Sequence, residues 1–128
     1  MQAPNIILFM TDQQQARASA REGFPLDTTP TLDRLGQNGC WFDKAYTPAP
    51  ICLPARVSAL TGRFPSATGA MTNMHAQSAD KNNHIPELLH QEGYTTALIG
   101  KNHSHLSGED FDHVFLLSHG GGSPQNEE

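Results

Sequence analysis

Cys52 and Arg56 are the side chains whose types and spacing say most about chemistry. Residues 52–63 run Cys-Leu-Pro-Ala-Arg-Val-Ser-Ala-Leu-Thr-Gly-Arg. Pro54 suits the first turn of a helix, and Gly62 suits its end, so a short helix is predicted from Pro54 to about Leu60. Cys52 then stands at the helix N-terminus. There, free N–H groups and the peptide dipoles stabilise negative charge, whether a thiolate, an anionic substrate or a metal-bound oxyanion. Arg56, one turn along, faces the same end and can hold an anion through two parallel hydrogen bonds. An ordinary small residue in a loop is the plainer reading of a lone cysteine; the surrounding spacing favours the reactive one.

The elements that must position these groups read as strands alternating with helices. Asn5 to Met10 is a continuous apolar run, read as a strand buried on both faces, with Asp12 just past its end. Thr28-Thr29-Pro30 starts a helix with Leu32 and Leu35 on its apolar side and Gly36 and Gly39 bracketing its end. Cys40 to Tyr46 is a second strand candidate, and Thr47 to Pro50 a stiff loop. Residues 63–83 read as loop. Pro86 to Glu92 reads as a helix ended by Gly93, Tyr94 to Ile99 as a buried strand, and His113 to Leu117 as one more strand. The expected fold is α/β, a mostly parallel sheet flanked by helices. Ligands of such sheets bind beyond the carboxyl ends of the strands. Asp12, Cys52, Lys101 and His103 can all meet along one such edge.

Bulk properties narrow the classes. At 128 residues the chain makes at most one domain, small for an enzyme core. Residues 1–118 are read as the folded part. From His119 on, the glycine-rich, polar and acidic tail is read as disordered. A net charge of −5 without a basic cluster argues against a nucleic-acid partner. The longest apolar run, Ile6 to Met10, is far too short to span a bilayer. No basic segment precedes it, so no secretory leader is read; a cytoplasmic location is the default and the compartment stays open. Two cysteines make no disulfide framework, and Cys40, beside Trp41 and Phe42, is read as a small buried hydrophobe.

Four segments, in order, resemble one family. Cys52-Leu53-Pro54-Ala55-Arg56 with Thr61-Gly62 is similar to the Cys-x-Pro-x-Arg signature of the type I sulfatases, members of the alkaline phosphatase-like superfamily. Pro4 to Leu8 leading to Asp12 resembles that family's first strand and metal loop. Thr29 to Leu35 resembles its Thr-Pro-Asn-Leu-Asp-x-Leu helix, and Gly93 to Lys101 with His103 its Gly-Tyr-x-Thr…Gly-Lys-x-His segment. The resemblance spans about residues 4 to 103. It implies an alkaline phosphatase/sulfatase-like fold, here incomplete, and a hydrolase of sulfuric esters.

The resemblance also implies roles. Cys52 would be oxidised by a formylglycine-generating maturation enzyme, and the aldehyde would hydrate to a geminal diol. One hydroxyl, held on a divalent cation, would attack sulfur; the other would then lose its proton and expel sulfate. Arg56 and Lys101 would neutralise the sulfate and the diol oxygen, and His103 would move a proton. The cation would be Ca²⁺, or Mg²⁺ or Mn²⁺ as in some relatives, with Asp12 as its first ligand and the modified Cys52 as another. Gln13 stands where many relatives place a second aspartate. An amide oxygen ligates without charge, or stands just outside the metal. Ala55, where serine is common, leaves the cysteine, proline and arginine of the maturation signal intact.

Other polar groups read more plainly. His103-x-His105 lacks cysteine or carboxylate partners at zinc spacing, and His105 is read as an accessory residue lining the pocket. His75, His84, His90, His113 and His119 are scattered singly; Asp110 and Asp112 read as a solvated loop, Asp27, Asp33 and Asp43 as structural. Residues 104–128 offer no match for the family's later metal pair or its later lysine and histidine, so weak or absent activity is expected of the 128 residues alone. A phosphonate or phosphate ester hydrolase of the same superfamily and a non-catalytic remnant are the competing readings. Arg56 and Lys101 suit any tetrahedral anion.

Overall fold

The computed structural model describes residues 3–75 and 79–117. The expected tail from His119 lies outside them. The chain divides into two compact units, Met1–Ala45 and Tyr46–Glu128.

In the first unit, two 3-10 turns, Ala16–Ala18 and Ala20–Glu22, precede helix α1, Pro30–Asn38. Pro30 fits the first helical position because its missing N–H has no helical partner there, and its φ is already helical. Ser19 is the buried hub. It donates to Asp33 Oδ1 at 3.1 Å and accepts from the Thr29 hydroxyl at 3.1 Å, and Thr28 bonds the Ala18 carbonyl. Asp33 is thus structural, as expected. Gly36 lies inside α1 rather than ending it. A Cβ there would meet the Trp41 ring at 2.8 Å, and Arg21 covers that ring 4.6 Å from its centroid.

Two strand expectations fail in this unit. Neither Asn5–Met10 nor Cys40–Tyr46 forms a strand. Ile7 is 87% and Phe9 80% exposed. A strand buried on both faces needs neighbours in a ladder, and none among the described residues pairs with the run. Cys40 is exposed and free, not buried.

The second unit holds α2 (Cys52–Thr61), α3 (Pro65–Thr68), α4 (Ile85–Gln91), β1 (Ala97–Gly100), a 3-10 turn at Gly108–Asp110 and β2 (His113–Leu116). Leu53, Val57, Ala70 and Ala79 form its core. Segment 63–83, expected to be loop, contains α3 and contributes two of those four residues. Arg63 straps it down: its guanidinium bonds Asp80 Oδ2 at 2.6 Å and the Ala67 carbonyl at 3.0 Å. Arg63 holds the Asp80 carboxyl below the usual carboxylate range.

β1 and β2 pair in parallel, Ala97 opposite His113 through Gly100 opposite Leu116, as expected of an α/β sheet. β1 begins at Ala97 rather than Tyr94. Thr96 instead forms a clamp with Asp112, whose Oδ2 accepts from the Thr96 N–H at 2.7 Å and its hydroxyl at 2.9 Å. These two bonds hold the Asp112 carboxyl below its ordinary range. Asp112 is therefore part of the sheet's start, not a solvated loop. Among the described residues, no helix is long and apolar enough to cross a membrane.

Candidate functional site

Helix α2 begins at Cys52 itself, two residues before Pro54. Ile51 flanks it with extended backbone and an apolar side chain that cannot cap. The first intrahelical bond runs from the Ala55 N–H to the Ile51 carbonyl at 3.0 Å. Pro54 has no N–H to offer, and the amides of Cys52 and Leu53 in the first turn have no partner within the helix. Gly62 ends the helix in the left-handed conformation, φ 66°, and its N–H bonds the Ser58 carbonyl at 2.8 Å. Leu53 and Val57 are fully buried and fix the roll of α2 about its axis. Cys52 and Arg56, on the same helix, remain half-buried.

Arg56 links α2 to the segment after β1. Its Nη1 approaches the Lys101 carbonyl at 3.4 Å, a long bond that leaves the other guanidinium donors for an anion. Cys52, Arg56 and Lys101 are thereby tied within one unit. His103 follows, with φ 35°, one of three non-glycine residues in the left-handed region among the described residues. The others are Gln13 (φ 53°) and Asn83 (φ 57°). Such backbone costs energy in a non-glycine residue and concentrates at functional sites. Gly100, φ 99°, makes the turn that leads into Lys101.

The segment beyond Lys101 bonds to itself. Asn102 Nδ2 donates to the Leu106 carbonyl at 2.8 Å, the Ser104 hydroxyl to Asn102 Oδ1 at 2.6 Å, and the Leu106 N–H to Ser104 Oγ at 3.2 Å. His105 is 3% exposed, and neither ring nitrogen has a hydrogen-bond partner. It packs edge-on to His84, centroids 6.3 Å apart. Burial pushes its pKa down from 6.5, and His84 adds to the effect. His105 is thus buried support for the segment.

His84 is not a solitary surface histidine. It is buried, caps α4 by accepting the Glu87 N–H on Nδ1 at 3.1 Å, and points Nε2 toward Asp110 at 3.8 Å. Asp110 closes a capping box with Ser107. Burial pushes the Asp110 carboxyl up, but bonds from the Ser107 N–H and hydroxyl, with His84, outweigh it and leave it low. The Ser107-Gly-Glu-Asp110 spacing is a legible capping signal that a loop reading overlooks.

Asp12 and Gln13 lie in the first unit, exposed, in the bend after the apolar run. A carboxylate and an amide oxygen are hard donors of the kind Ca²⁺, Mg²⁺ and Mn²⁺ take, so the donor types fit such an ion. Among the described residues, no three His, Cys, Asp or Glu side chains gather closely enough to hold a metal.

Comparison with known proteins adds a consistent set of relatives. The sulfatase family model matches residues 4–127. An N-acetylglucosamine-6-O-sulfatase of Bacteroides thetaiotaomicron is 38% identical over 90% of this chain and 20% of its own. Human N-acetylgalactosamine-6-sulfatase is 36% identical over 80% of this chain and 22% of its own. A solved structure in complex with its substrate D-glucosamine-2-N,6-O-disulfate superposes with a TM-score of 0.81. It is 37% identical and covers 91% of this chain and 24% of the other. The chain spans about a fifth of the length of the curated relatives it matches.

Proposed function

The chain belongs to the sulfatase family, and on that premise we propose that it carries the nucleophile and part of the anion-binding set of a sulfuric ester hydrolase. The observation that carries this reading is Arg56 reaching from the Cys52 helix to the carbonyl of Lys101. It joins the signature helix to the Gly-Lys-x-His segment.

Cys52 is the residue to be oxidised to formylglycine by a maturation enzyme. As the first residue of α2 it holds the reacting atom against the positive end of the helix dipole. Arg56 binds the sulfate group through its unspent donors, and Lys101 adds a second positive charge. His103, whose backbone is held in the left-handed region at φ 35°, holds or moves the proton of the attacking hydroxyl. Asp12 and Gln13 offer the hard oxygen donors that suit a divalent cation, Ca²⁺ or else Mg²⁺ or Mn²⁺. That ion supplies Lewis-acid activation of an oxygen nucleophile. Gln13 in place of a second carboxylate lowers the charge offered to the metal.

The substrate class we propose is a sulfate ester of a saccharide, a 6-O-sulfated N-acetylhexosamine being the first to test. Relatives named for such sugars support it, as does the neighbour bound to a glucosamine disulfate. A phosphonate monoester is the alternative, since Arg56 and Lys101 suit either tetrahedral anion.

The test is kinetic, on the natural protein matured in the presence of the modifying enzyme and Ca²⁺. We expect sulfate release from N-acetylglucosamine-6-sulfate, lost in Cys52→Ala. A higher kcat/KM on an aryl phosphonate would overturn the substrate assignment, and equal activity in Cys52→Ala would overturn the mechanism.

A further inference from the structure

Ile51 cannot cap α2, and Pro54 offers no donor, so the start of the helix is satisfied from elsewhere in the chain. Asn73, twenty residues on, extends its side-chain oxygen to the Leu53 N–H at 3.0 Å. Three bonds build the turn that presents it. The Met71 N–H donates to His75 Nδ1 at 3.2 Å, the His75 N–H to the Thr72 carbonyl at 3.2 Å, and the Met74 N–H to the Thr72 hydroxyl at 3.3 Å. The turn is moored on both sides: Ala70 and Ala79 sit in the same core cluster as Leu53 and Val57. A short core under α2 and a side-chain oxygen on the amide of its second residue therefore grip Leu53, next to Cys52, from two directions.

We infer that Asn73 is a positioning residue for the reaction centre at Cys52, capping α2 from a distant turn and thereby setting the orientation and local charge of the residue beside the capped amide. The inference rests on the reading of Cys52 as the reactive residue, but needs no turnover to be tested. Asn73 itself is exposed, and its amide oxygen is neutral. A neutral acceptor ties down the Leu53 N–H without setting a negative charge beside Cys52, where an anion must later bind. Aspartate would cap at least as well by helix criteria, yet would oppose that anion. An aliphatic residue would leave the first turn free to fray.

The test uses the 128-residue chain with its thiols intact, made in a host without the maturation enzyme. Alkylation by neutral iodoacetamide and by anionic iodoacetate is followed at one pH and read by mass spectrometry. Trypsin separates residues 45–56, which carry Cys52, from residues 35–44, which carry Cys40. Cys40 is exposed, in the other unit, and serves as the internal standard. In Asn73→Asp, the ratio of iodoacetate to iodoacetamide rates at Cys52 falls about three- to ten-fold relative to the same ratio at Cys40, while the melting temperature holds. In Asn73→Ala, that reagent ratio is unchanged but the Cys52 iodoacetamide rate rises at least about two-fold relative to Cys40 as the first turn opens, and the melting temperature drops by a few degrees. A merely structural cap leaves the reagent ratio at Cys52 unmoved. An unmoved reagent ratio in Asn73→Asp or an unmoved Cys52-to-Cys40 ratio in Asn73→Ala overturns the inference. Should the aspartate variant melt, the alanine ratio decides.

Discussion

The two units treat apolar residues in opposite ways. In Met1–Ala45 the strongest apolar run of the chain, Ile6 to Met10, lies outside any helix or strand, with exposures from 41% to 87%. In Tyr46–Glu128 a less apolar stretch, Cys52 to Thr61, buries Leu53 and Val57 completely. Hydrophobic content therefore does not decide which segment is packed. A helix satisfies most of its backbone bonds internally and needs only a face to lean on. A strand makes none of its ladder bonds internally and needs a neighbour, and β1 obtains one in β2 where the N-terminal run has none among the described residues. The second unit consequently carries Cys52 and Arg56 on a fixed platform. The first presents Asp12 and Gln13 at the end of an unpaired segment.

Substitutions sharpen this contrast. The largest effect falls on Cys52 and Arg56 in the matured natural protein. Cys52→Ala abolishes sulfate release, and Arg56→Ala lowers kcat by about 10²- to 10³-fold, with melting unchanged in both. Next comes packing. Leu53→Ala costs about 2–5 kcal/mol because it opens a cavity against Val57, Ala70 and Ala79. Leu8→Ala, 62% exposed, stays within about 0.5 kcal/mol. Urea melts that gave the two similar costs would break the comparison. Acid comes third. The folded state holds the pKa of His105 below 6.5, so as pH falls past that value the unfolded chain takes up a proton the folded one resists. Stability is full above pH 6.5 and declines below it, until the folded pKa is passed. His105→Leu flattens that decline, checked by melting temperature between pH 7 and 5. An unchanged slope would mean that His105 is not the group responsible. Smallest is Gly62→Ala, about 1 kcal/mol, since only the left-handed φ of 66° resists it and open space surrounds the position.

What was legible in the sequence follows the same division. Local signals were read well: Pro30 and Thr29 at the start of α1, Gly62 and Gly93 beyond α2 and α4, and the Cys-x-Pro-x-Arg spacing that set Cys52 and Arg56 on one helix end. Non-local requirements were not. Nothing in Asn5 to Met10 states whether a neighbouring strand is present, so the apolar run alone reads as a buried strand. Nothing around Asn73 shows that an oxygen is required twenty residues earlier, except that Ile51 and Pro54 fail to supply their share of a cap. His84 and Asp110 looked like isolated polar residues because their meeting depends on the chain's return past α4. Ser107 and Asp110, by contrast, carry their capping box in their spacing alone.

The proposed chemistry requires formylglycine at Cys52. Its most direct measurement is the mass of the tryptic peptide spanning residues 45–56 after co-expression with a formylglycine-generating enzyme. The control is the same peptide from a host without it. Replacing the thiol by an aldehyde lowers the mass by about 18 Da, by atom bookkeeping on the oxidation. We predict that shift in the first host and an intact thiol in the second. An intact thiol in both, from protein that is folded and beside an enzyme shown to be active on a control peptide, would contradict it.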